Sequence, residues 1–430
     1  MRNGQRSCLM VIWMLLLCGT GFFVVLTMGS QRYGGMTGLS RRIRVEVQTQ
    51  LNQFRPRPEF VPAPVAAPTV DASTFASQIQ AVTPEALPVD SAQLSSQTTV
   101  ATPTAAYQQA LPAVELFGYT HSWQTWNNCG PATLATNLSF FKHNLDQSQI
   151  ASILKPNPDD KNVNPIEMVA FAQSQGFQAR TFVNGDYNRL KLLLSNNLPV
   201  LIETWLEESP NDGLGHYRLL VGYDDRVQEW IFSDSYVARG TAGEGADYRG
   251  IRVPYASMDG DWAVFNRTYL VIYPESMSGI VQGIIGPDMS RATMWQRSLN
   301  RFQAEIQVNP KDPFAWFNLG STLSTMGLYD QAAVAFDQSR AIGLPWRMLW
   351  YQFEPFRAYY ETGRYAELVE LADATISAGG EIEEIYFWKG RALAAQNNLN
   401  AAKSAWEGAL VINPSYIDAS AALASIGVNQ

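Results

Sequence analysis

Between Pro56 and Pro112 the chain carries nine prolines among Ala, Val, Thr, Ser and Gln, with no Gly, Trp or Cys. A segment of that make-up buries too little apolar surface to offset the entropy of ordering it, so it reads as a linker. Over about 50 residues a flexible chain spans on the order of 40 Å, and prolines lengthen that. Whatever folds must therefore lie on one side of it or the other. The 430 residues are 46% hydrophobic and 12% aromatic, enough for two or three cores. The net charge of -8 comes without acidic blocks and argues against nucleic acid as the partner.

On the N-terminal side, the uncharged run from Ser7 to Gln31 contains "LMVIWMLLLCGTGFFVVLTM". About 20 residues at ~1.5 Å each match a ~30 Å hydrocarbon core, and no A-x-A-like cleavage site follows. Residues 1–30 are expected to be a single transmembrane signal anchor, and 31–112 a juxtamembrane segment and linker. "LSRRIRVEVQTQLNQF" is a short amphipathic helix candidate, either on the membrane surface or continuing the anchor helix. Arg32, Arg41, Arg42 and Arg44 after the span outnumber Arg2 and Arg6 before it, which by positive-inside counting opposes export. A long tether behind one anchor suits a displayed domain, however, so the expected location is the cell membrane with an extracytoplasmic body.

Residues 113–277 change character, with dense aromatics, glycine turns and both helix and strand signals. Helices are predicted over 130–143, 147–153, 165–175 and 187–195, and strands over 178–183, 199–206, 216–223, 229–233, 250–254 and 268–273. Helices come first and strands mostly later, an α+β layout. Residues 287–430 are helical and periodic instead. "AWFNLGSTLSTMGLYDQAAVAFDQSRAIGLP" and "YFWKGRALAAQNNLNAAKSAWEGALVINP" align Gly320 with Gly390, Ala332 with Ala402 and Phe336 with Trp406. The offset is two repeats of near 35, with a weak middle repeat around "ETGRYAELVELA". This resembles the tetratricopeptide repeat, departing from it at Leu323, Ser339 and Pro345. The resemblance implies an all-α solenoid whose concave surface binds a protein partner, or one that only props up its neighbour.

Three cysteines are too few for a disulfide framework and their spacing fits no zinc or redox motif; no cofactor or metal is expected. Cys8 and Cys18 belong to the apolar run. Cys129, in "SWQTWNNCGPATLATNLSFF", stands where a helix should begin, with Pro131 in its first turn. The helix dipole and free N–H groups there favour a thiolate, although a buried structural cysteine would look the same. Gln124, five residues upstream, can fold back so that its amide and the Cys129 N–H share one oxyanion. His143 lies on the same helix at ~21 Å and is excluded as a base. His121 stays open, and His216 opens the strand "GHYRLLVGYD". A hairpin centred on Asp225 places Asp234 opposite His216, where it can fix the ring's tautomer; a one-residue slip would put it on the wrong face.

The order Gln124, Cys129, His216, Asp234 resembles the papain-like superfamily. "Q-x4-CGPAT", "GHYRLLVGYDD" and a strand ending in Asp look like the peptidase domain that trims double-glycine leaders from bacteriocin precursors, in stand-alone form. The resemblance implies an α+β papain-like cysteine peptidase domain with Cys129 as nucleophile, His216 as general base then acid, Asp234 as orienter and Gln124 as oxyanion donor. The family often has Asp-Pro where this chain has Asp234-Ser235, and no transporter segments follow. The expected function is a membrane-anchored thiol hydrolase acting on a peptide or protein. The alternatives are an idle papain-like binding protein and a peptidoglycan amide hydrolase. Trp123, Trp126 and Trp205 are candidates for a substrate groove or for core packing.

Overall fold

A computed structural model of the chain describes residues 36, 39, 40, 42–44, 47, 58–65, 70–79, 107–157, 160–207, 210–237 and 250–427. The expected anchor and most of the juxtamembrane helix lie outside the described residues. Among the described residues no helix is long and apolar enough to cross a membrane.

In the first body a buried helix lies against an antiparallel sheet. After a short strand β1 (Ala113–Glu115), helix α2 (Cys129–Phe140) is followed by α3 (Gln147–Leu154) and α4 (Pro165–Ser174); α1 (Ala72–Gln78) belongs to the N-terminal segment. Strands β2 (Gln178–Phe182), β3 (Val200–Leu206), β4 (Leu214–Asp224), β5 (Glu229–Ser233), β6 (Ile251–Pro254) and β7 (Tyr269–Tyr273) follow, interrupted by α5 (Tyr187–Ser195) and α6 (Tyr255–Ala263). The strand order is β2-β7-β3-β4-β5-β6, with β1 alongside the far end of β4. Local chemistry accounts for the helix starts. Asp146 and Asn164 each close a capping box with the third helical residue, Gln149 and Glu167, and Pro165 takes the first turn of α4. α2 is buried from Gly130 to Ser139, and Thr133 Oγ1 donates to Tyr217 O at 3.0 Å, tying the helix to β4.

The predicted α+β elements recur with ends shifted by a few residues. Sequence reading missed β1, which is only three residues long, and α6, whose Met258 and Trp262 are buried although its polar turns carry little apolar pattern. It also left a gap between 277 and 287. That gap is α7 (Ser278–Ile285), whose Val281, Ile284 and Ile285 complete the first core.

The rest is helical: α8 (Arg291–Val308), α9 (Pro313–Thr325), α10 (Tyr329–Ile342), α11 (Glu354–Glu361), α12 (Tyr365–Ser377), α13 (Glu383–Ala395), α14 (Leu399–Ile412) and α15 (Ile417–Gly427). The pairs α9–α10 and α13–α14 share one packing device. A Cβ on Gly320 would stand 2.7 Å from the Phe336 ring, and one on Gly390 2.4 Å from Trp406, so each aromatic lies directly on a glycine of the preceding helix. The positions that depart from the repeat pattern have their own roles: Leu323 is fully buried, and Ser339 Oγ donates to Pro313 O at 2.7 Å.

Within the expected linker, the described residues 58–65 and 70–79 are docked rather than free. Phe60 bridges to Pro345, Val61 N–H donates to Leu344 O at 2.8 Å, and Arg340 Nε donates to Pro62 O at 2.8 Å. Val61, Phe75 and Ala76 are buried in the second core, which also takes in Trp205 and Phe265 from the first body. Composition misled because the helical body, rather than the segment itself, supplies most of the apolar partners. Pro345, one residue late for the repeat, opens a 3-10 turn, Trp346–Trp350, at this docking point.

Candidate active site

Cys129 is the first residue of α2, and Asn127 just before it takes a left-handed φ of 51° that turns the loop onto the helix. The buried side chain of Gln147, at the start of α3, makes most of the bonds that hold the loop from Ser122 to Asn128. Its Oε1 accepts from Thr125 N and Asn128 Nδ2, both at 2.8 Å, and its Nε2 donates to Ser122 Oγ at 2.8 Å and Trp123 O at 2.7 Å. Lys155 Nζ adds a bond to Asn127 O at 2.7 Å. Gln124 is pinned separately. Its N–H donates to Ser235 O at 3.0 Å, and its side-chain Oε1 accepts from Ser235 Oγ at 2.9 Å.

His216 is near the start of β4 and almost wholly buried. Its Nε2 meets Asp234 Oδ1 at 2.9 Å, which leaves Nδ1 for the Cys129 thiol, its hydrogen-bonding neighbour. The other Asp234 oxygen accepts from Arg218 Nε at 2.7 Å, and the backbone N–H groups of Tyr236 and Val237 donate to Oδ1 at 2.9 and 2.8 Å. Asp234 is fully buried and ionised. Burial alone would raise its pKa, but His216, Arg218 and the Tyr236 N–H hold it far below the carboxylate range. In turn burial pulls the His216 pKa down, while the charge and hydrogen bond of Asp234, together with the thiol, lift it to about 9. Burial pushes the Cys129 thiol up, yet His216, the Tyr217 backbone N–H and Lys155 bring it below its ordinary value. Both shifts favour the thiolate–imidazolium form of the pair, the nucleophilic form of such a couple.

The predicted hairpin register was off by two. β4 and β5 pair Asp224 with Glu229 next to the turn, and beyond an irregularity between Leu220 and Gly222 they pair Leu219 with Ser233. Continued by one residue, that register sets Asp234 opposite Arg218, not His216. The shift by two keeps Asp234 on the face of His216, one diagonal step away. The turn is longer than the assumed one, running from Asp225 to Gln228, with Gln228 at a φ of 57°. The bulge supplies the odd residue that restores the face.

His121, left open as a base, is engaged elsewhere: its Nδ1 meets Ser233 Oγ at 3.0 Å and its ring packs edge-on against Trp123. Trp123 and Trp205 are buried, so the groove reading fails for both; Trp126 is partly exposed. The helical body reaches the site from the other side. A Cβ on Gly215 would stand 2.9 Å from the Tyr351 ring, so this tyrosine lies flat against the strand leading into His216. From the N-terminal segment, Arg42 donates to Tyr236 O at 2.6 Å and stacks 4.4 Å over its ring, which itself lies 6.1 Å from His216.

Residues 107–262 match the model of the Peptidase_C39 like family. Cys129, His216 and Asp234 all fall within this stretch, and no curated protein matches the chain. Solved structures that align with it include the peptidase domain of Streptococcus ComA, a bi-functional ABC transporter involved in quorum sensing (17% identity, 37% of this chain and 100% of that one, TM-score 0.29). Two others are a double glycine motif protease from an AMS/PCAT transporter in complex with its leader peptide (19%, 38% and 98%, TM-score 0.26) and xylellain, a cysteine protease from Xylella fastidiosa (13%, 51% and 98%, TM-score 0.25).

The papain-like reading of this stretch thus rests on the family match and the geometry together. Among the described residues no group of three or more His, Cys, Asp and Glu is placed to hold a metal. The site also includes residues that sequence reading passed over, namely Gln147, Arg218 and Ser235. Gln147 left no signal in the sequence, because its partners lie in a loop 19–25 residues upstream. Arg218 could have been found from its alternation with His216 on β4.

Proposed function

We propose that the chain is a membrane-anchored cysteine peptidase. The observation that carries this is the line Asp234–His216–Cys129, with a buried, ionised orienter behind the imidazole and the thiol at a helix N-terminus. Cys129 Sγ attacks a peptide carbonyl, and the developing oxyanion is met by the Gln124 amide and the Cys129 N–H. His216 gives its proton to the leaving amine, forming a thioester and a free amino terminus. It then takes a proton from water, whose oxygen attacks the thioester and releases the acid and the thiolate. The apolar run of residues 1–30 supports a single-pass anchor in the cell membrane, from which the body is held extracytoplasmic. The helix pairs of 287–430, with glycine–aromatic contacts at the repeat offset, support a tetratricopeptide-type solenoid that recruits a protein substrate or adaptor.

The test is alkylation by iodoacetamide combined with digestion of a peptide library read by mass spectrometry. Wild-type protein should label at Cys129 faster than a free thiol at pH 7, His216→Ala should remove that advantage, and Cys129→Ala should abolish cleavage. A thiol no faster than cysteine in solution, unaffected by the histidine, would establish an idle binding protein instead. Cleavage of muropeptides but of no peptide in the library would move the substrate to a cell-wall amide.

A further inference from the structure

We propose that Ser235 is a positioning residue that sets the oxyanion donor, by holding the Gln124 amide with its N–H end outward. This role rests on the peptidase reading above and deepens it. Two bonds join the residues: Gln124 N–H to Ser235 O at 3.0 Å, and Ser235 Oγ–H to Gln124 Oε1 at 2.9 Å. The first fixes where Gln124 sits. The second occupies the carbonyl end of its side chain and leaves Nε2 as the end available to an oxygen brought by a substrate. In the opposite sense the N–H would be spent on the serine and a carbonyl would face the developing negative charge, so catalysis requires the sense in which the hydroxyl donates.

The placement gives the turn after β5 two tasks in consecutive residues. Asp234 orients the base through His216 Nε2, and Ser235 orients the electrophilic amide. Asp234 also accepts the N–H groups of Tyr236 and Val237, so the backbone that carries Ser235 is fixed from both sides. Ser235 is itself buried, so water does not compete freely for the hydroxyl. Gln147 and Lys155 hold the same loop but touch its neighbours Ser122, Trp123, Thr125, Asn127 and Asn128; Ser235 is the residue bonded to the Gln124 amide itself.

The experiment compares full-length wild type with Ser235→Ala, Ser235→Thr and Gln124→Ala, alone and with Ser235→Ala. Four quantities are read: kcat and KM on a cleaved peptide, the affinity for a peptide aldehyde, and the rate of iodoacetamide alkylation. The aldehyde adds to the thiol and presents a tetrahedral oxyanion; alkylation reports the thiolate alone. Ser235→Ala should lower kcat and aldehyde affinity in parallel, by about 5- to 20-fold against the 10²- to 10³-fold expected for a lost oxyanion donor, with KM and alkylation unchanged. Ser235→Thr, which keeps the hydroxyl, should restore both. In the Gln124→Ala background Ser235→Ala should have no further effect. Unchanged kcat in Ser235→Ala, or a fall matched by slower alkylation or persisting without Gln124, would overturn the role, since the serine would then act through Asp234 or through folding. A wild type that neither cleaves nor binds the aldehyde would sink the peptidase reading first, and this role with it.

Discussion

At the scale of single residues, the decisive feature is a charge chain held away from water. Asp234 is ionised with no exposed surface, and four donors account for that: His216, Arg218 and two backbone N–H groups. Replacing it by Asn keeps the shape but removes the anion that raises His216 to about 9. The imidazolium then loses its proton at lower pH. The alkaline limb of the cleavage-rate profile, set near pH 9 in wild type by loss of the His216 proton, should move downward, and kcat should fall by about 10²- to 10⁴-fold. The measurement is kcat/KM on a cleaved peptide for both proteins from pH 5 to 10; an alkaline limb left in place by Asp234→Asn would contradict this account. Arg218 would lose its partner in the same variant, so part of any stability loss belongs to that stranded charge rather than to catalysis.

At the scale of elements, the site depends on one loop and one irregular strand pair. Gln147 makes five bonds to the loop before Cys129 from inside the protein, and Leu at that position would strand several buried donors and acceptors at once. Gln147→Leu should cost about 2–4 kcal/mol of stability by urea unfolding and lower kcat at unchanged KM. Much of this level was legible in the sequence. The helix start at Cys129, the strand opened by His216 and the aspartate ending the next strand come from period and punctuation, which are local. The register was not legible, because it depends on the length of the turn at 225–228 and on a bulge at 220–222, and neither leaves a pattern in hydrophobicity. Asp234 came out on the right face because the error was an even number. Ser235 and Gln147 were hidden for another reason: their partners are 111 and 19–25 residues away, a relation no local window contains.

At the scale of the molecule, the two bodies meet over buried acid. Asp160 and half-buried Glu167 of the first body face Glu383 and Glu384 at the start of α13. Burial, and then the charge of Glu383, lifts Asp160 to about 7; burial lifts Glu167 to about 8, and Glu383 and Glu384 rise with them. Groups whose folded pKa is raised hold protons that the unfolded chain has released. Their contribution therefore weakens as pH climbs from about 4, the usual carboxylate value, to about 8. Glu383→Gln should leave the melting temperature nearly unchanged at pH 5 and raise it at pH 8. Calorimetry at the two pH values checks this, and an equal shift at both would mean that the cluster does not titrate as described.

The N-terminal segment sewn to the helical body has a consequence for how the protein is made. Arg340 bonds Pro62 across 278 residues of chain. At synthesis rates of 5–20 residues per second, Phe60 and Val61 must wait roughly 15–55 s for the groove that receives them. The peptidase-like stretch emerges in that interval, and the strand end at Gly215 can close against Tyr351 only once the helical body has followed. The peptidase-like half is thus assembled before the surface that flanks it, and the segment around Phe60 and Val61, though made earlier, is fastened later.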